Sequence, residues 1–250
     1  MSGHSKWANI KHRKAAQDKK RGKHFGKLIR AIESAARDAG TADPGASPSL
    51  ALAVQKAKDA DVPKDNIERA CKRGAGELDG AAAYETALYE GYAPGGVAVL
   101  VECLTDNRNR TASDVRNAFG KVGGNLAEPG AVAFLFGRRG QVLLSGDTDE
   151  DDIMVAGLEA GLDDVEIDGQ HVVAWCDPSA VSELRTALES AGLDVRESGS
   201  TMVASTMVEL SELEDARKVL ALLDALDDND DVQEVYANAA FDNVLEDLDE

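Results

Sequence analysis

Apolar residues along this chain change their spacing twice, and the changes divide it into parts. From Lys6 to Arg21 the basic residues Lys6, Lys11, Arg13, Lys14, Lys19, Lys20 and Arg21 fall on every side of a helical wheel. Trp7 and Ile10 are the only large apolar side chains there, so the stretch cannot bury a face of its own. From Lys23 the pattern becomes helical. Phe25, Leu28, Ile29, Ile32 and Ala36 share one face, Lys23, Lys27, Arg30, Ser34 and Arg37 the other, and Gly40 ends the run. After a Pro/Gly-rich loop, Ser47-Pro48 reads as an N-cap with Pro at the first helical position, followed by Leu50, Val54 and Ala57 at helical spacing. Pro63 opens a further short helix with Ile67, Ala70 and Cys71 inward, Lys72 and Arg73 at its negative end and Gly74 as stop. Residues 1–80 are therefore expected to form a basic arm and a helical domain.

The period then shortens. Val97 to Leu104 is a continuous apolar run bounded by Pro94-Gly95-Gly96 and Thr105-Asp106-Asn107, which predicts a buried strand. A helix over 111–122, a strand over 131–136, a strand over 207–210, a helix over 212–226 and a strand over 232–236 complete the split βαβ order of a ferredoxin-like domain. Between its halves the same order repeats: strand 141–144, helix 150–160, strands 165–167 and 171–176, helix 178–191 and strand 194–203. The expected class is α+β: an N-terminal helical domain followed by two ferredoxin-like α/β domains, one inserted in the other. The divisions fall at 1–80, 81–137 with 205–250, and 138–204.

Charge changes what this architecture can touch. The chain has 250 residues and a formal net charge of −19, yet its first thirty residues carry ten Lys or Arg against one Asp. By segment, residues 1–80 are +7, residues 81–145 neutral and residues 146–250 −26. Such pooling predicts a protein that meets phosphate through one element and repels polyanions with the rest. The interior, 43% apolar but 4% aromatic, has to be built from Ala, Val, Leu and Ile. No apolar run approaches the ~18 residues of a membrane span, and the basic start lacks the apolar stretch of a secretory signal, which predicts a soluble, cytoplasmic protein. Cys71, Cys103 and Cys176 are odd in number and never paired as CxxC, against disulfides or a zinc site.

The basic arm is the strongest candidate for chemistry, because several cations on a chain able to follow a phosphate backbone, with Trp7 and Phe25 as rings, suit nucleic-acid binding. Its alternative is a solubilising tail, and for Phe25 a core position. Asn107-Arg108-Asn109-Arg110-Thr111, where a strand hands over to a helix, could converge on phosphate or form a solvated loop whose arginines pair with Asp106 or Asp114. Residues 90–96 lack the Gly-Lys-Ser/Thr ending of a nucleotide loop and read as a turn. Phe134 and Phe136 are placed on one strand face, as core rather than as stacking rings. His4, His12 and His24 lack a carboxylate or cysteine set for metal or general-base work. The run Asp227-Asp228-Asn229-Asp230-Asp231 fails as a calcium loop and reads as a solvated helix end.

Gly3-His4-Ser5-Lys6-Trp7-Ala8-Asn9-Ile10-Lys11-His12-Arg13-Lys14 resembles the opening signature of the YebC/PmpR family. Residues 23–32, 63–70, 89–96 and 104–111 are similar to it as well. The resemblance is specific through about Phe136 and architectural beyond. It implies a helical N-terminal domain, two α/β domains nested in one another, and a non-enzymatic regulator of gene expression. Bacterial members are described as DNA-binding transcriptional regulators, the mitochondrial relative activates translation, and some relatives relieve ribosomes stalled on proline runs. Two departures stand out: Asp61-Val62 replaces the family's usual Asn-Met, and the C-terminal part is unusually acidic.

The expectation is thus a nucleic-acid-binding regulator without cofactor, metal or catalytic residues. Its contacts are Lys6, Trp7, Lys11, His12, Arg13, Lys14, Lys19, Lys20, Arg21, Lys23 and Lys27, with Arg108 and Arg110 as a second point. Ribosomal RNA is the preferred target, because the arm lacks a convincing helix-turn-helix and the chain offers no evident dimer face for palindromic DNA. DNA is the alternative, and an acidic protein-interaction module is a third reading.

Overall fold

A computed structural model describes residues 18–80, 83–168 and 171–241. Three helices come first: α1 (Asp18–Ala39), α2 (Pro48–Asp59) and α3 (Lys64–Gly74). Ser47 caps α2 by accepting the Leu50 N–H, with Pro48 at the first position where no donor is missed. Ile32 and Ala36 of α1 meet Leu50, Val54, Ala57, Val62, Ile67, Ala70 and Cys71 in one core, with Phe25 packed at its margin. The Asp61-Val62 departure fits this packing. Asp61 adopts φ 59°, a left-handed conformation that Asp tolerates better than most residues, and Val62 is buried.

The next sheet has strand order β3-β1-β2-β9, from β1 (Glu85–Tyr92), β2 (Ala98–Thr105), β3 (Asn125–Leu126) and β9 (Val232–Ala237), with α4 (Arg108–Lys121) and α7 (Leu213–Asp227) on one face. All neighbours are antiparallel, so β2 and β3 run parallel around β1, the split βαβ arrangement. Strand β1 was not expected: residues 90–96 read as a turn, but Glu90 and Gly91 belong to the strand, paired with Leu100 and Val99. Gly91 is required there, because a Cβ would stand 2.6 Å from the Phe119 ring. The turn proper is Pro94–Gly96, with Gly95 and Gly96 at φ 74° and 78°.

The strand expected over 131–136 is instead a loop with a short 3-10 turn at Ala133–Leu135. Its backbone is held by the Glu90 carboxylate, which accepts the N–H groups of Gly130, Val132 and Ala133 at 2.6, 2.7 and 2.8 Å. Burial pushes that carboxyl up, and the three donors together outweigh it and hold it below its ordinary value. Residues Val208–Glu209 (β8) pair in parallel with Ala239–Ala240 (β10) rather than joining the main sheet.

The second sheet, order β5-β6-β4-β7, is formed by β4 (Phe136–Ser145), β5 (Leu162–Asp168), β6 (His171–Cys176) and β7 (Val195–Ala204), with α5 (Glu150–Gly157) and α6 (Val181–Ser190) packed on it. This is the ferredoxin-like order in full. It is fastened to the helices by Arg185, whose guanidinium donates to both Asp59 oxygens at 2.6 and 3.0 Å and to Ser198. The fold is α+β, with an N-terminal helical part and two antiparallel sheets.

Candidate nucleic-acid interface

Lys23, Lys27 and Arg30 stand four and three residues apart, hence on one face of α1. That face lies against the carboxyl end of α7, where carbonyls lack helical partners and the helix dipole is negative. Lys23 Nζ donates to the Asp228 carbonyl at 3.0 Å and lies 3.5 Å from its carboxylate. Lys27 Nζ donates to the Asp227 carbonyl at 2.6 Å and its carboxylate at 3.1 Å. Arg30 donates to the Asp230 carbonyl, approaches Asp231 Oδ1 at 3.6 Å and stacks on the Tyr84 ring. The acidic run is therefore an anchor for α1 rather than a solvated end. Lys27, placed by sequence among the phosphate contacts, is 8% exposed and engaged here.

Asp231 extends the anchor to the second expected contact. Its Oδ2 accepts from Arg110 at 2.7 Å, Thr111 at 2.8 Å and Thr105 at 3.3 Å. Burial raises this carboxyl, but bonds from Arg110 and Thr111 outweigh it and the net shift is downward. Arg110 also donates to Asp106 at 2.8 Å, one of the two carboxylates expected as its alternative partners, and its pKa is raised, chiefly by the bond it donates to Asp231. Asn107 caps α4 through the Arg110 N–H. Arg108 is turned outward, 62% exposed, with Glu85 3.9 Å away. The two arginines thus differ in pairing: Arg110, half exposed, is tied to Asp231 and Asp106, whereas Arg108 projects into solvent.

Of the arm, Lys19, Lys20 and Arg21 fall in the first turns of α1. Lys6, Trp7, Lys11, His12, Arg13 and Lys14 lie outside the described residues. Residues 5–77 match the family model described as the TACO1/YebC protein N-terminal domain, and residues 84–239 match the model of the TACO1/YebC second and third domain. The chain belongs to the TACO1/YebC family. Relatives named "Probable transcriptional regulatory protein" from Beutenbergia cavernae and Halothermothrix orenii are 54% and 50% identical, each covering 100% of both chains. A protein of the same name from Corynebacterium diphtheriae is 53% identical over 100% of both chains. The crystal structure of a conserved hypothetical protein from Aquifex aeolicus superposes with a TM-score of 0.80 at 43% identity, over 89% of this chain and 91% of that one.

In this TACO1/YebC chain one cationic cluster escaped the sequence reading. Lys121 at the end of α4 and Arg217 and Lys218 of α7 line a shallow groove floored by Val122, Leu213 and Ala221. Lys218 is paired with Glu214 at 2.6 Å, whereas neither Lys121 nor Arg217 has a carboxylate within 4 Å among the described residues. Its signal was available, since residues 146–250 hold only four Lys or Arg and two are the adjacent Arg217 and Lys218. The residue pair Phe134 and Phe136 does not share a face: Phe136 is buried and Phe134 is 74% exposed on the 3-10 turn. All three cysteines are buried with thiols pushed up by burial, Cys103 to about 12 and Cys176 to about 11. Among the described residues no three His, Cys, Asp or Glu are placed to hold a metal, and no helix is long and apolar enough to cross a membrane.

Proposed function

We propose that this chain is a non-enzymatic regulator of gene expression that grips a nucleic-acid backbone with its leading segment, Lys6 to Arg21, and uses Arg108 as a second contact. One observation carries the reading. Lys23, Lys27 and Arg30 of α1 find counter-charges inside the fold, whereas the seven cations between Lys6 and Arg21 have only Asp18 among them in sequence. Seven like charges so placed favour a polyanion. The two nested α/β units, 81–137 with 205–250 and 138–204, then act as an acidic body that keeps the rest of the surface off phosphate.

RNA, and ribosomal RNA first, is the preferred target, with the chain acting as a translation factor that eases stalled elongation. The mixed face of α3 supports RNA over groove-reading of DNA: Lys64 lies 3.7 Å from Glu68, and Arg69 donates to Asn66 and the Asp65 carbonyl rather than projecting free. DNA is the second reading, favoured by the four-residue turn between α2 and α3 and by the names of the relatives.

The deciding experiment is co-sedimentation with ribosomes beside promoter footprinting, over a salt series. An arm that neutralises six to ten phosphates loses roughly 10³-fold or more in affinity between about 50 and 200 mM salt. Replacing Lys11, Arg13 and Lys14 by Ala abolishes binding and leaves the Tm unchanged; retained binding with a flat salt response defeats the proposal.

A further inference from the structure

Helix α5 is apolar on both sides. Ile153, Gly157 and the following Ala160 face inward, where Leu162 and Leu184 close over Gly157. Met154, Val155 and Leu158 face outward and are 42%, 84% and 66% exposed. Leu158 opens the 3-10 turn that continues α5 and keeps helical backbone, so its separations of four and three residues from Met154 and Val155 make the three neighbours in one patch rather than scattered exposures. Contiguous apolar patches mark interaction sites more often than idle surface. Ile167, 51% exposed on β5, is two residues from Val165 and so on the same side of that edge strand as the core.

The rim is dominated by one sign. Glu150, Asp151, Asp152, Glu159, Asp163 and Asp164 are all exposed, the chain has no Lys or Arg between Arg139 and Arg185, and of these carboxylates only Asp163 has a cation near it, Arg139 at 3.9 Å, among the described residues. Such a rim repels nucleic acid and a second copy of itself, and attracts a cationic surface. We propose that the outer face of α5 docks a cationic amphipathic segment of a partner protein. The segment's apolar residues seat on Met154, Val155 and Leu158, and its Lys or Arg face the rim carboxylates. This surface is separate from the arm and its occupancy does not depend on nucleic acid.

The probe is a synthetic Leu/Lys amphipathic helix of about 14 residues, titrated into the full chain at about 0.15 M salt by calorimetry and by NMR shift mapping. Shifts centred on α5 and β5 are expected. The double variant Val155→Ser, Leu158→Ser is expected to bind at least tenfold more weakly at unchanged Tm, and a Leu/Glu peptide not at all. Equal affinity for the double variant, shifts confined elsewhere, or equal binding of a Lys peptide without Leu overturns the proposal. So does concentration-dependent self-association that the double variant abolishes, since the occupant is then a second copy.

Discussion

Replacing Asp231 by Ala tests whether the acidic run is an internal anchor. The variant removes an acceptor that serves Arg110, Thr111 and Thr105 and faces Arg30. A hydrogen bond to a charged group contributes about 1.5–3 kcal/mol. Two features reduce the loss: Arg110 is half exposed and keeps Asp106, and the buried hydroxyls of Thr105 and Thr111 still bond each other at 2.7 Å. The expected cost is therefore about 2–3 kcal/mol for Asp231→Ala and about 1–2 for Asp231→Asn, which keeps one acceptor. Because the chain holds separate cores, the measurement is local: native-state hydrogen exchange at Leu104, whose N–H donates to the Asp231 carbonyl, and along α4. The folded carboxyl titrates below the unfolded value of about 3.9, so its contribution is complete above that pH and disappears as pH falls through the lower folded value. A wild-type to Asp231→Asn gap that is constant near neutrality and closes in acid agrees with this. A loss under about 0.5 kcal/mol, or a gap that persists unchanged in strong acid, refutes the reasoning.

Glu90→Ala leaves three backbone donors of residues 130–133 without their acceptor and is expected to cost about 3 kcal/mol, read as accelerated amide exchange confined to that loop and β1. Cys71, Cys103 and Cys176 are expected to resist alkylation at pH 8 in the native state and to react together on unfolding, checked by intact mass; rapid modification of any one in the folded chain contradicts its burial.

Local periodicity carried the helices and the second sheet, because their apolar positions recur at helical or strand spacing whatever they pack against. It missed β1 for one reason with two parts. Gly91 is small to admit the Phe119 ring, and Glu90 is polar because its partners lie forty residues downstream. Both residues break a strand pattern, and both are dictated by contacts that no window reveals. The candidate site was legible as charge but not as pairing. Arg108 and Arg110 look equivalent on paper, yet the turn into α4 sends one to solvent and the other to Asp231. Likewise Lys27 differs from the arm only in what α7 places opposite it.

Those pairings bear on how a polyanion can approach. Lys27 is itself nearly buried and held by both the carbonyl and the carboxylate of Asp227, so a phosphate arriving there would have to displace two bonds beside a like charge. A phosphate therefore competes poorly at the seam. The same anchor fixes the root of the arm beside Asp228 and Asp230, both exposed, whose field opposes phosphate on the α7 side. If the proposed function holds, nucleic acid on the leading cations is repelled from the α7 side by Asp228 and Asp230. The acidic run thus holds the basic helix in place, and on the proposed reading its exposed carboxylates also disfavour a polyanion on the α7 side of that helix.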